Sequence, residues 1–315
     1  MEELNLTSFQ PATFHLMGFP GLEQLHPWLS IPFCVLYAVA ILGNCTVLLV
    51  IVKDRSLHNK PMHLFLSMLA VSELGVSLST LPTVLSVFLF DACEIGMDAC
   101  LAQMFIIHSF SIMDSGVLWL MALDRLIAIY SPLQYTNILT SYRIAAMGSG
   151  IAIRSIVLMG PLAVLLRRLP FCRPSVLAHP YCLHPNLIRL PCADTTINSC
   201  AGLFVVLSTF GLDSLCIVLS YVMILKTVLS IASKEGRLKA LNTCASHLWA
   251  VLVYYTPMMG VSVAHRFGTH ASPLLHSLMA HIYLLLPPVV NPIIYSIKTK
   301  EIRKALSRLL FQKTF

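Results

Sequence analysis

The sequence predicts an all-α membrane protein, a bundle of seven membrane-spanning helices followed by a short amphipathic helix. Two observations carry that expectation first. Of the 315 residues, 57% are hydrophobic and 11% are charged, where a soluble domain carries about a quarter charged. The apolar residues also fall in seven blocks, near 28–52, 61–89, 98–129, 142–166, 198–230, 238–264 and 274–297. Each is near or above the ~20 residues that cross a hydrocarbon core of ~30 Å at about 1.5 Å per residue.

Residues 1–27 contain no Lys or Arg and no long apolar core, so they do not read as a cleavable signal peptide; the first block is expected to act as its own insertion signal. The third block ends on the charged pair Asp124-Arg125 and the helix-ending Ser131-Pro132. Charges within a spanning helix cost roughly 2.5–3.5 kcal/mol on insertion scales, so that pair needs water, a partner or a task. The fourth block contains Arg154, for which the sequence supplies no role. Residues 167–197 form a long connection rich in Pro, His and Cys, and loops of that length are usually functional or disordered. After the seventh block, Ile302, Leu306, Leu309 and Leu310 alternate with Lys300, Arg303, Lys304 and Arg308 at helical spacing, the pattern of a basic helix lying on a lipid surface. The expected division is an extracellular segment 1–27, a membrane domain 28–297 and a cytoplasmic tail 298–315.

A third observation, the placement of Lys and Arg, fixes the expected orientation. An outside amino terminus assigns to the cytoplasm Lys53, Arg55, Lys60, Arg125, Arg143, Lys226, Lys234, Arg237, Lys239 and six residues from Lys298 on, which is 15 of the 21 basic residues. The opposite side keeps Arg167, Arg168, Arg173, Arg189 and Arg266, and Arg154 stays within a span. Because basic residues are retained in cytoplasmic loops, the net charge of +7 is a topology signal with some attraction to anionic lipid. It is not a nucleic-acid footprint. On this orientation Cys93, Cys100, Cys172, Cys182 and Cys192 face an oxidising compartment, whereas Cys34, Cys45, Cys200, Cys216 and Cys244 fall in spans and pack. Asn5-Leu6-Thr7 is a glycosylation sequon on the outer face; Asn44-Cys45-Thr46 has the same form but lies inside a span.

Several residues invite chemistry. Glu73 and Asp114 are carboxylates on neighbouring spans, with Asn44, Ser111 and Asn291 as polar neighbours. Two such groups either share a proton or hold a cation. His108 stands seventeen residues before Arg125, roughly 25 Å toward the other face, and Ser111 shares its helix face. Arg266 ends the sixth block with Ser262 one turn earlier. A guanidinium there suits a carboxylate ligand through paired hydrogen bonds, or snorkels as an interfacial anchor. His108 taken alone reads equally as a packed helix histidine.

The stretch Met121 to Tyr135, MALDRLIAIYSPLQY, resembles the MAYDRYVAIC-x-PL-x-Y stretch of rhodopsin-like odorant receptors. The resemblance runs nearly end to end: Gly43-Asn44, Pro61-Met62-His63-Leu64-Phe65-Leu66 running on to Glu73, Ser220-Tyr221, the Lys239-to-His247 block KALNTCASH, and Pro287 to Tyr295, PPVVNPIIY. GFPGLE at 18–23, HRFG at 265–268 and KTKEIR at 298–303 are similar to the class I, fish-like branch, and to its family 51 in particular. Leu126 replaces the usual Tyr, Tyr130-Ser131 displaces the usual Cys, His63 replaces a Tyr, and Glu73 stands where Asp is customary.

The resemblance implies a plasma-membrane receptor that binds a small odorant, with carboxylic acids among the candidates, and activates a stimulatory olfactory-type G protein that raises cyclic AMP. It implies that His108, Ser111, Ser262 and Arg266 contact the ligand, with His184 of the long loop capping the pocket. It implies a switch in which Asp124 holds Arg125 until activation turns Arg125 toward Tyr221 and the G protein, with Tyr295 moving inward and Lys239 and His247 beside the same cavity. Glu73 and Asp114 correspond to the superfamily's sodium cavity, so an allosteric Na⁺ is the one ion implied; no other cofactor is expected. The implied disulfides are Cys100–Cys182 and Cys172–Cys192.

Other classes fit less well. The same fold serving as a metabolite-acid sensor outside olfactory tissue is not separable by sequence. A transporter needs broken spans or a polar file across the membrane, and only the Glu73/Asp114 cluster is present. An enzyme is not expected: Cys182-x-His184 lies in a cysteine-rich loop and has no second pair at metal-site spacing, and there is neither a P-loop nor a G-x-S-x-G.

Overall fold

The computed structural model describes residues 13–311 apart from 59, 172–174 and 268–272. Seven long helices make up the body: α1 (His26–Lys53), α2 (Pro61–Leu89), α3 (Met97–Tyr130), α4 (Ser141–Arg167), α5 (Thr196–Ser230), α6 (Lys234–Phe267) and α7 (Pro273–Lys298). A shorter α8 (Lys300–Phe311) follows. Among the described residues six of the seven are long and apolar enough to cross a membrane; α6 is not among them. Its charged first turns and the run Tyr254-Tyr255-Thr256-Pro257 dilute its apolar character, and it joins the bundle by packing on α7 and α3.

The bundle is apolar outside and polar within. Leu42, Val52, Val157, Val218 and Leu229 are exposed on the outer faces, while Glu73, Asp114, Asp124 and Asp213 are buried. That is the distribution a lipid-embedded bundle requires, because hydrocarbon solvates the first set and only neighbouring helices can satisfy the second.

Prolines start α1 and α2 in their first turns, where a missing N–H costs nothing. Inside α7, Pro292 leaves the carbonyl of Pro288 without its i+4 donor. The Asn44 amide of α1 donates to that carbonyl at 3.1 Å. Gly43 makes this approach feasible, since a Cβ there would lie 3.0 Å from the Pro292 ring. The Gly43-Asn44 pair is thus the complement of Pro292, far away in sequence. In α5 a π turn spans Leu207–Gly211; such insertions often mark functional sites, and this one turns Phe210 inward while Leu207 stays exposed.

One end of the bundle carries a three-stranded sheet of β1 (Thr13–Leu16), β2 (Glu94–Gly96) and β3 (Val176–Leu177). β1 lies in the middle, antiparallel to β2 and parallel to β3. The sequence pattern predicts no strand here. Alternation buries Phe14 and Leu16, and Phe14 meets Phe171 edge-on at 5.2 Å. Cys100 at the start of α3 is bonded to Cys182 of the long loop, whose N–H donates to the Gln103 side chain at 2.9 Å. Cys192 is also disulfide-bonded; Cys172, its expected partner, lies outside the described residues, as does the Asn5 sequon. At the opposite end α8 buries Ile302 and Ala305 against the bundle, and its Arg308 meets Asp54 at 3.4 Å.

Candidate functional site

At the sheet end the helices and the long loop enclose a cavity of about 380 Å³, within the usual size range of small-molecule sites. His108 reaches it from α3, Leu183, His184 and Arg189 from the loop, Ser199, Gly202 and Phe210 from α5, Met258 and Val261 from α6, and Tyr283 from α7. The loop descends because its disulfide to α3 pulls it over the helix ends. The His184 N–H then donates to Nε2 of His108 at 3.1 Å, which makes that nitrogen an acceptor and places the His108 proton on Nδ1. The His184 ring occupies the space that Gly202 leaves open, where a Cβ would come within 2.7 Å of it. Burial holds the His184 ring down at about 4, so near neutral pH it offers hydrogen bonds and not charge.

Of the residues proposed from sequence for this site, His108 and His184 meet on its wall. Ser111 does not line it; it lies one layer deeper, where its backbone carbonyl accepts from the Tyr254 hydroxyl. The side chains of Ser262 and Arg266 lie outside the described residues; the α6 backbone carries Arg266 about 7.5 Å beyond Val261 at the helical rise. Ser199, Gly202, Arg189 and Tyr283 escaped sequence reasoning, because nothing in α5, α7 or the loop marks which face turns inward.

Below the cavity runs a second feature. Arg154 of α4 donates to Asp213 of α5 through both terminal guanidinium nitrogens, at 2.8 and 2.7 Å. The Ser115 hydroxyl of α3 donates to Asp213 at 2.9 Å, so the Tyr255 hydroxyl of α6, 2.7 Å from the same oxygen, is the donor in that pair. Four helices meet in this network, and it gives Arg154 the role that the sequence left blank. Asp213 drew no attention in the sequence because an isolated acid has no spacing signal.

Further along α3, the Ser72 hydroxyl donates to Asp114 and the Asn291 amide to Glu73. Glu73 Oε2 and Asn291 Oδ1 are buried without a partner among the described residues. Oxygen donors of this kind fit a hard cation, so the residues present are compatible with the implied sodium. No group of three or more His, Cys, Asp or Glu side chains suited to a metal occurs among the described residues.

At the end opposite the sheet, Asp124 and Arg125 form an ion pair at 2.9 Å with both side chains buried. The Tyr135 hydroxyl donates to Asp124 at 2.6 Å, and Arg125 also contacts the Met62 sulfur. A cavity of about 720 Å³ opens here, walled in part by Arg125, His63, Lys239, Asn242 and Ser246. Lys239 stands on this wall. His247 does not: eight residues further along α6 it is buried, 2.7 Å from the Tyr221 hydroxyl through Nδ1 and 2.9 Å from the Leu118 carbonyl through Nε2. A carbonyl only accepts, so Nε2 carries the proton and Tyr221 donates to Nδ1. Tyr221 is therefore tied to α6 and α3 and does not meet Arg125, and Tyr295 is buried with its hydroxyl unmatched among the described residues.

Comparison with known proteins agrees with this architecture. The profile of the family described as olfactory receptor matches residues 33–313. Human olfactory receptor 51I2 is 56% identical over 299 residues, covering 95% of this chain and 96% of that protein. Human olfactory receptor 51F2 is 52% identical over 313 residues, 99% and 91% of the two chains, and human olfactory receptor 51G2 is 55% identical over 299 residues, 95% of each. With a polar-cored helix bundle and relatives of this identity along nearly its whole length, the chain belongs to the olfactory receptor family of G-protein-coupled receptors and is not an enzyme.

Proposed function

We propose that this receptor takes a small carboxylic acid at the sheet end and passes the signal to a stimulatory olfactory-type G protein at the Asp124-Arg125 end, raising cyclic AMP. The amino terminus then lies outside the plasma membrane. The observation that carries the reading is one helix, α3, with His108 in one cavity, Arg125 in the other, and buried polar contacts along the length between them. A ligand that favours one arrangement of α6 against α3 at the sheet end changes the balance of arrangements at the far end, which is what a two-state switch needs. The closed, non-signalling arrangement would be the one in which Asp124 holds Arg125 and His247 holds Tyr221.

Arg266 would pair with the carboxylate and His108 with its neighbours would contact the tail. The test is cyclic AMP in cells carrying the full chain with an amino-terminal epitope, stained on intact cells to measure sidedness and surface level. Straight-chain acids are compared with their alcohols and esters. The expected result is an acid response that vanishes in Arg266→Ala at equal surface expression; neutral odorants acting equally on both proteins would sink the acid reading.

Glu73 and Asp114, with Asn291, would hold Na⁺, which supplies positive charge to otherwise unmatched oxygens and favours the closed arrangement. Raising external Na⁺ at constant ionic strength is expected to shift the wild-type activation midpoint upward and to leave that of Glu73→Gln unmoved. Equal midpoints in the wild type at both Na⁺ levels would remove the ion from this reading.

A further inference from the structure

We propose that the groove between α1 and α7 on the lipid face is a sterol-binding site, in which His281 accepts a hydrogen bond from the sterol hydroxyl. This is a second site, and it stands independently of the odorant and G-protein readings above.

The groove has a volume of about 190 Å³. Phe33 and Leu36 of α1 form one wall, and Leu278, His281, Leu285 and Val289 of α7 form much of the other. It shares no described residue with the ligand cavity. Leu36, Leu278, Ile282 and Leu286 are each more than a third exposed, so the groove opens outward, toward hydrocarbon. From Leu278 to Val289 the α7 wall rises roughly 16 Å. Every described wall residue except His281 is apolar.

His281 is the polar point on this wall. It is 4% exposed and stands toward the sheet end of the groove, packed on Phe33 with ring centroids 4.9 Å apart. Its Nδ1 is 2.7 Å from the Ser277 carbonyl. A carbonyl only accepts, so Nδ1 carries the proton and Nε2 is an acceptor. Nε2 has no partner among the described residues. Tyr181 of the long loop meets the ring edge-on at 5.3 Å, yet its hydroxyl is unmatched as well and does not supply the donor. A buried acceptor without a donor costs roughly 1–3 kcal/mol, and hydrocarbon offers nothing to satisfy it.

These features select the occupant. The wall suits a hydrocarbon body, and the acceptor requires a neutral group that donates. Ester and phosphate oxygens of a glycerophospholipid accept and do not donate, and a headgroup ammonium would find no counter-charge among the described wall residues. A sterol combines a rigid hydrocarbon body with one hydroxyl at its end. Seated with that hydroxyl toward the membrane face at the sheet end, it meets His281 and lays its rings along Leu285 and Val289.

The experiment uses the full-length receptor in cell membranes with a photoactivatable cholesterol analogue, the labelled peptides being mapped by mass spectrometry. Competitors are cholesterol, its methyl ether, which keeps the oxygen and loses the donor, and sphingomyelin. Label is expected to concentrate on residues 33–36 and 278–289 over the lipid-exposed Val157 and Val218. Cholesterol is expected to displace it about fivefold more effectively than the methyl ether, the order of one neutral hydrogen bond. In His281→Phe at matched surface level, the two competitors are expected to act equally.

Label spread evenly over the outward helix faces would overturn the site. Methyl ether competing as well as cholesterol on the wild type would overturn the hydroxyl contact, and that comparison requires no variant to fold. Sphingomyelin displacing the label better than cholesterol would assign the groove to another lipid. A fivefold preference that persists in His281→Phe would show that the hydroxyl is read elsewhere.

Discussion

Arg154→Ala is expected to remove nearly all receptor from the cell surface. The substitution leaves the Asp213 carboxylate, only 1% exposed, without the two guanidinium bonds that satisfy it. Breaking one partner of a buried pair costs roughly 3–5 kcal/mol, comparable with a large part of the whole stability of an ordinary domain. Asp213→Ala is expected to be about as severe, because Arg154 lies midway along α4, where an unpaired guanidinium would face helix or hydrocarbon and not water. The double substitution Arg154→Met with Asp213→Leu removes both charges at similar volume and is expected to recover a good part of the surface level. Staining of the amino-terminal epitope on intact and permeabilised cells measures all three. Normal surface expression of Arg154→Ala would show that Asp213 finds its proton or its partner elsewhere.

His247→Phe is expected to raise cyclic AMP in the absence of ligand. The ring is the point where α6 holds both α5, through Tyr221, and α3, through the Leu118 carbonyl. Phe keeps the ring and loses both hydrogen bonds, at about 1 kcal/mol each. If the bonds exist only in the closed arrangement, their loss shifts the balance by roughly tenfold or more toward the open one. Basal signalling at matched surface level should then rise several-fold, and the ligand midpoint should fall with it, because less of the binding energy is spent on opening. Unchanged basal signalling would mean that the Tyr221–His247–Leu118 chain persists on activation, and that Asp124 alone restrains Arg125.

The helices were legible because a spanning helix is a local object. Hydrocarbon selects about twenty apolar residues in a row, and that count can be made without knowing any contact. The blocks and the helices coincide to within a few residues. Asp124-Arg125 was legible for the converse reason, since charges in apolar surroundings draw attention to themselves. His108 and His184 were reached only through resemblance to known receptors. No periodicity joins a residue of α3 to one of the loop, and the bond between them runs across 76 positions.

What the chain alone determined is therefore the one-dimensional part: how many long helices there are, where they end, and which ends gather Lys and Arg. Tertiary structure decided which polar groups meet. It gave Asn44 to the carbonyl freed by Pro292, Arg154 to Asp213, and His247 to Tyr221 and Leu118, and it folded the residues around Phe14 into a sheet over the cavity end. The physical reason is the same in each case. A buried polar group has to find a partner, but its identity depends on helix rotation and on which neighbour packs against which, and those are set by the assembled bundle.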